Sequence, residues 1–256
     1  DYLPNGGYYY NKDHNTRSAA PGGTNTTYGL PAAKTKWQAI AFNRINPNIS
    51  FLGDTNIYRT TNLSNGSPTW TQISTFSKTI MAVHSCIADT NRLYVITSDQ
   101  KLFVSSDAMS VSPTFTQLNL PSASNTLASL TAIANNANTL YISINNKVYV
   151  SYDAGNTWTN ITYNLPSVNH RKILAEDYGG TEELVFIATN NAVYYKKAGQ
   201  ITWTNYSTNL PGRRAPTDFS MFDNGTSQSV IRYASFGRAI WETPFSNLRS
   251  LSSGFD

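Results

Sequence analysis

Short runs rich in apolar residues, some of them alternating with polar positions as in Lys147–Ser151, recur along this chain at a steady spacing, each bounded by turn-forming residues. Ala82–Ile87, Leu93–Thr97, Lys101–Ser105 and Thr114–Leu118 form one such group of four. The group repeats over Leu130–Ala134, Leu140–Ile144, Lys147–Ser151 and Thr157–Ile161, and again over Arg171–Ala175, Glu183–Ala188, Ala192–Tyr195 and Trp203–Tyr206. Period-two alternation over four to eight residues is the mark of a β-strand with one face against a core. An earlier group reads Trp37–Phe42, Ile49–Leu52, Asn56–Arg59 and Trp70–Ile73. Within each group the second and third strands are joined by tight polar turns such as Asn145-Asn146 and Asn190-Asn191, where asparagine tolerates a left-handed backbone. Leu120-Pro121, Leu165-Pro166 and Leu210-Pro211 end successive groups, since proline cannot extend the pairing.

Two aromatic series hold the period. Tyr58, Phe103, Tyr149 and Tyr194 are separated by 45, 46 and 45 residues, and Trp70, Phe115, Trp158 and Trp203 by 45, 43 and 45. A period of about 40–50 residues with four short strands per unit predicts an all-β fold, a β-propeller of about five four-stranded blades. The blades are expected over about 37–76, 80–121, 128–166, 170–211 and 214–245, within a propeller spanning 37–245. The last has three strands, Thr217–Met221, Val230–Ser235 and Arg238–Glu242, and so lacks one. Residues 1–36 carry turn formers every few positions and one strand-like run, Tyr8-Tyr9-Tyr10; residues 246–256 read as a tail or linker. The N-terminal segment either finishes a preceding blade, the chain then being an arc of a larger propeller, or closes the fifth blade, with Tyr8–Tyr10 beside Arg238–Glu242.

Between the two aromatic series lies the corner Ser151-Tyr152-Asp153-Ala154-Gly155-Asn156-Thr157-Trp158. Asp153 can turn its side chain onto nearby backbone N–H groups and Gly155 permits a positive φ. The corner resembles the Asp-box, Ser-x-Asp-x-Gly-x-Thr-Trp, of sialidases, xyloglucanases and the sortilin family, and the resemblance implies a structural corner made by Ser151, Asp153, Gly155, Thr157 and Trp158. The other copies, Thr60-Thr61-Asn62, Ser105-Ser106-Asp107 and Lys196-Lys197-Ala198-Gly199, read as decayed boxes. Asn43 to Asn48 resembles the Asp-Pro-x-Asn-Pro-Asn turn of such repeats, with Asn43 in place of aspartate. Ser235 to Glu242 resembles the ending of propeller domains in large secreted proteins of Bacteroidetes-type bacteria, with Ala239 in place of glycine.

Composition sets the surroundings. Charged residues are 13% of 256, aromatics reach 12% with 16 tyrosines, and Asn, Thr and Ser abound, which suits a polar-surfaced extracellular or cell-surface β protein. The net charge of +4 comes from scattered residues without a basic run, which argues against nucleic acid. No apolar stretch is long enough to insert in a membrane. A chain beginning at Asp1 with no leader-like segment is expected to be a mature form or a piece of a longer protein with further domains. The one cysteine, Cys86, lies in an apolar run and reads as a buried thiol.

Few residues offer chemistry. A glycosidase needs two carboxylates across a cleft. The candidates are Asp54, Asp89, Asp99, Asp177, Asp218, Asp223 and Glu176; Asp54 and Asp99 fall in turns, and Asp177 and Glu176 follow a first strand without a partner. Sialidase chemistry needs an arginine cluster, which Arg44-Ile45-Asn46-Pro47 does not supply. His14, His84 and His170 share no ligand spacing with one another or with Cys86, and Asp1 and Asp13 lie in no calcium-type loop, so neither metal nor cofactor is expected. Candidate ligand contacts are Tyr8, Tyr9 and Tyr10, whose flat rings could stack on sugars, and Arg213 and Arg214, which could meet an anionic glycan or acidic protein. The expected function is a non-catalytic module, adhesin-like, that binds a glycan or an extracellular protein; the alternative is a glycoside hydrolase with catalytic residues partly outside this segment.

Overall fold

The computed structural model describes residues 39–248 apart from 44, 66–67, 122–126, 134, 177–182, 208–215, 223–227, 236–239 and 246–247. Nineteen strands lie among them, in five antiparallel sheets. The first holds β1 (Ala39–Phe42), β2 (Ser50–Gly53), β3 (Asn56–Thr60) and β4 (Thr71–Thr75). The second holds β5 (Ile80–Ser85), β6 (Leu93–Thr97), β7 (Leu102–Ser105) and β8 (Thr116–Leu118). The third holds β9 (Leu127–Ala132), β10 (Leu140–Ile144), β11 (Lys147–Ser151) and β12 (Thr159–Asn160). The fourth holds β13 (His170–Glu176), β14 (Leu184–Thr189), β15 (Val193–Lys197) and β16 (Thr204–Asn205). The fifth has three, β17 (Pro216–Phe222), β18 (Val230–Ser235) and β19 (Ile240–Pro244). Strand order within every sheet follows chain order, the up-and-down meander of a propeller blade.

The chain divides into two compact units, residues 1–117 and 118–256. In the first unit, Ala39, Ala41, Phe51 and Ile57 of blade one pack against Ile80, Val83, Leu93 and Val95 of blade two, with Phe76, Phe103 and Phe115 edge to face at the rim. Gly53 leaves room for blade two, since a Cβ there would stand 2.8 Å from Ile80 Cγ2. In the second unit one core joins blades three and four through Tyr141, Val148, Val150, Ile173, Val185, Ile187 and Trp203. Another joins blades four and five through Phe186, Phe219, Ile231, Tyr233 and Phe245. The second strands β6, β10 and β14 each lie between two neighbours in their own sheet and are buried along their whole length. That is why Leu93–Thr97 reads as a nearly unbroken apolar run.

Outer strands are shorter than the alternation predicts. β12 covers Thr159–Asn160 rather than Thr157–Ile161, because the Thr157 N–H donates to Asp153 Oδ1 at 2.8 Å and is unavailable to the ladder. β8 starts at Thr116 rather than Thr114 for the same reason, the Thr114 N–H donating to Asp107. The third strand of blade five runs to Pro244, two residues past the expected end at Glu242. Asn145 and Asn146 take the left-handed backbone, with φ of 49° and 61°. Asn190-Asn191 does not; there Thr189 Oγ1 accepts from the N–H groups of Asn191 and Ala192 and closes the turn without it. In the Asn43–Asn48 turn, Asn43 Oδ1 accepts from the N–H groups of Ile45 and Asn46 at 2.9 and 2.8 Å, so the amide oxygen does what a carboxylate would. Cys86 is buried, and burial raises its thiol. The expected closure by Tyr8–Tyr10 falls outside the described residues.

Candidate functional site

Three blades end their third strand in one hydrogen-bonded corner. In blade three the Ser151 Oγ–H donates to Asp153 Oδ1 at 2.7 Å and accepts the N–H groups of Asp153 and Gly155. Asp153 accepts the Thr157 N–H and, at 2.6 Å, the Thr157 hydroxyl. Those donors hold the Asp153 carboxyl at about 2, the Thr157 bonds most of all. Gly155 sits at φ 94°, where a side chain would be strained. The Trp158 indole N–H reaches the Asn119 carbonyl at 3.0 Å, in the strand end that closes the preceding blade.

The copies that look decayed in sequence keep this network. In blade two Ser105 Oγ–H donates to Asp107 Oδ1 at 2.8 Å, and Asp107 accepts the Thr114 N–H at 2.9 Å. In blade one Thr60 donates to Asn62 Oδ1 at 2.9 Å, and Asn62 accepts the Thr69 N–H at 2.9 Å. The acceptor and the threonine stand seven residues apart there against four in blade three. In blade two the ring closes without a glycine. What sequence inspection reads as loss is an insertion inside a closed ring of hydrogen bonds.

Blade four departs from this. Lys196 occupies the serine position, and its ammonium donates to the Lys197 carbonyl at 3.1 Å while lying 5.9 Å from the Trp203 ring centre. Burial pushes the Glu183 carboxyl up to about 7, against the pull of Lys196, and lowers Lys196 in turn. Glu183 Oε1 is out of solvent and has no hydrogen-bond partner. One bond nevertheless survives in all five blades. The N–H groups of Leu63, Ala108, Ala154, Ala198 and Phe245 donate to the carbonyls of Asn48, Asn91, Asn138, Glu183 and Ser229, at 2.8 to 3.1 Å. This backbone bond ties the end of each third strand to the start of its second.

Three of the candidate carboxylates are turn acceptors, and Asp218 lies in β17. Asp54 Oδ1 takes the Asn56 N–H and Asp89 Oδ1 takes the Asn91 N–H. Asp99 accepts the Thr97 hydroxyl at 2.6 Å and faces Lys101 at 3.4 Å, and these hold it below its ordinary value. Glu176 is buried at the end of β13. Asp177 and Asp223 fall outside the described residues, as do Tyr8, Tyr9, Tyr10, Arg213 and Arg214. The most enzyme-like contact was not visible in the sequence, because it links strands of different blades: Ser143 Oγ lies 2.8 Å from His170 Nδ1. Ser143 is fully buried and His170 nearly so, and burial lowers the imidazole to about 4. A nucleophile sealed from solvent cannot reach a substrate. Among the described residues no three His, Cys, Asp or Glu side chains gather as metal ligands would.

The sequence profile of the DUF6242 beta propeller domain matches residues 110–237, half of the chain. The chain belongs to this family. No curated protein sequence matches it. Among solved structures, the GH74 enzyme of Niastella koreensis superposes with a TM-score of 0.62 at 18% identity, over 84% of this chain and 30% of that one. The GH74 xyloglucanase of Xanthomonas campestris gives 0.58 at 11% identity, over 83% and 37%. YCF48 bound to D1 peptide gives 0.54 at 13% identity, over 81% and 64%. At such identities the likeness establishes the propeller fold alone. The family member described here spans about a third of the length of those GH74 enzymes.

Proposed function

We propose that this chain is a non-catalytic propeller module, secreted or held at a cell surface, that binds a carbohydrate or protein partner or builds an extracellular assembly. The observation that carries the reading is the state of its carboxylates. Asp54, Asp89, Asp99, Asp107 and Asp153 each accept hydrogen bonds within their own turn or corner, which leaves none of them to serve as an acid or nucleophile across a cleft. Exposed aromatic rings offer binding surface instead. Tyr152 at the tip of the blade-three corner is 62% exposed and Tyr163 48%. Such faces stack on sugar rings or on peptide side chains. Tyr8, Tyr9, Tyr10, Arg213 and Arg214 are proposed as further contacts on their chemistry alone. The low proportion of charge supports the extracellular setting, and among the described residues no helix is long and apolar enough to cross a membrane.

The neighbours show that this fold serves both kinds of partner, one being named a xyloglucanase and another bound to a peptide. The deciding experiment incubates the purified chain with a glycan array that includes xyloglucan oligosaccharides and sialyl-lactose, and follows the same ligands for release of reducing ends. Binding without turnover, weakened by Tyr152→Ala or Tyr163→Ala, is the expected result. Turnover by the isolated chain would establish the hydrolase instead.

A further inference from the structure

Of the five non-glycine residues held at positive φ among the described residues, Tyr163 alone is aromatic. Its φ is 43°, a backbone setting that glycine and asparagine adopt readily and that strains a bulky side chain. The loop on either side fixes that setting. Asn160 Oδ1 accepts the Thr162 N–H at 2.9 Å, and Thr162 Oγ1 accepts the Val148 N–H at 2.9 Å. Beyond Tyr163, Asn164 holds the Trp203 backbone by two bonds, giving its amide N–H to the carbonyl at 3.0 Å and taking the N–H at 2.7 Å. Core packing does not offset the strain, since Tyr163 is 48% exposed. A braced loop thus holds the ring out in solvent, at a position where asparagine would fold with less strain.

The surroundings of that ring carry one sign of charge. The bond from Val148 to Thr162 places Tyr163 level with Lys147, at the end of blade three where the Asn145-Asn146 turn lies. β13 of blade four starts at the same end, because Ser143 pairs with Val148 and its Oγ lies 2.8 Å from His170 Nδ1. Arg171 comes next, and its Nε–H donates to Asn190 Oδ1 at 2.6 Å, in the turn between β14 and β15. That bond steadies the guanidinium and leaves its two Nη groups without a partner among the described residues. Lys147 and Arg171 are both exposed. The described acids of these two blades, Asp153, Glu176 and Glu183, all lie at the opposite end, in the corner after β11, at the close of β13 and beside the start of β14. No described carboxylate of blades three and four therefore balances the two cations beside Tyr163.

We propose that this edge of blades three and four binds a glycan through a carboxylate-bearing sugar, a uronic or sialic acid. The Arg171 Nη groups take the carboxylate, their parallel N–H donors matching its two oxygens; Lys147 adds positive field, and the Tyr163 ring stacks on the sugar face. The braced ring favours a sugar over an acidic peptide, because a flat surface of set orientation matches a rigid pyranose better than a mobile chain. The inference rests on the reading of the chain as a non-catalytic binding module and names the ligand class within it.

The test titrates the intact chain with trigalacturonic acid and sialyl-lactose, each against its neutral counterpart, the fully methyl-esterified trisaccharide and lactose. Calorimetric binding of an acidic member about tenfold tighter than its counterpart is the expected result, and the member that binds separates uronate from sialate. Arg171→Ala and Tyr163→Asn should each weaken that binding about tenfold, while Tyr163→Phe preserves it. Tyr163→Asn should also keep or raise the melting temperature, because asparagine accepts the left-handed backbone. Equal binding of charged and neutral sugars, or binding that Arg171→Ala leaves unchanged, would overturn the inference and leave the module reading standing. So would failure to bind either acidic sugar, binding of polyglutamate through Arg171 with no sugar bound, or a fall in melting temperature for Tyr163→Asn, which would make the ring a packing element. Release of reducing ends from either sugar would overturn the module reading itself.

Discussion

Asp153 does its work as an anion. Its two oxygens receive the Thr157 N–H, the Thr157 hydroxyl and the Ser151 hydroxyl, and these donors lower its carboxyl from the ordinary value to about 2. A group whose folded-state value is depressed stabilises fully above its unfolded value and loses that contribution as pH falls through the folded one. The native state should therefore weaken between about pH 4 and pH 2, with Asp99 and Asp107 adding in the same direction. Thermal melts across that range should show a steeper acid loss in the wild type than in Asp153→Asn. An equal slope in both would show that the corner contributes nothing as a charge. Glu183 acts with the opposite sign. Burial raises it to about 7, so its contribution is complete below about pH 4.5 and is lost as pH rises toward 7. Glu183→Gln should flatten the stability profile between those values, and a profile unchanged by the substitution would place the carboxylate in water instead.

At the level of elements, blades are fastened to one another by the tryptophans that open their outer strands. Trp203 is nearly buried, and its indole N–H donates to the Ile161 carbonyl at 2.8 Å inside the core shared by blades three and four. The equivalent bond of Trp158 lies at the surface. Leaving a buried carbonyl without its donor costs about 1–3 kcal/mol, whereas water can replace the donor at the exposed position. Urea unfolding should therefore find Trp203→Phe more destabilising than Trp158→Phe, and the reverse order would mean that the indole contacts do not join the blades. The third strands were legible because Tyr58, Phe103, Tyr149 and Tyr194 hold a strict period, one in each of β3, β7, β11 and β15. The true extent of the outer strands was not, since whether a threonine N–H enters the ladder or caps an aspartate leaves no trace in composition. The same limit hid the bond from Ala198 N–H to the Glu183 carbonyl: any residue can make a backbone bond, so its recurrence in every blade has no sequence signature.

Over the whole chain, repetition made the propeller readable and kept its function obscure. One period written across four blades predicts a fold, but residues that repeat for structural reasons look like candidates for chemistry: Asp54, Asp89 and Asp99 are acids at turns because turns want acceptors. The Ser143–His170 contact carries the converse lesson. It looks like a nucleophile and its base and is a buried link, with His170 held neutral down to about pH 4 by burial. Membership of the DUF6242 beta propeller family and the likeness to GH74 and YCF48 structures support the architecture in the same terms.

The corner ring closes over loops of different length, from Asp153 to Thr157 in one blade and from Asp107 to Thr114 in another, with the backbone bond of Ala108 or Ala154 unchanged behind it. The corner thus accepts loops of different length without disturbing the blade, and the same tolerance makes it a grafting platform. Val111, 86% exposed in the middle of the longer loop, is the natural acceptor. A foreign epitope of about six residues inserted there should leave the melting temperature within about 2 °C, because lengthening a surface loop costs only a few tenths of a kcal/mol. A large fall in melting temperature would show that the loop itself, and not the ring around it, holds the corner. With the melting temperature held, the corners of blades one, two and three serve as display positions, each able to present an unrelated peptide.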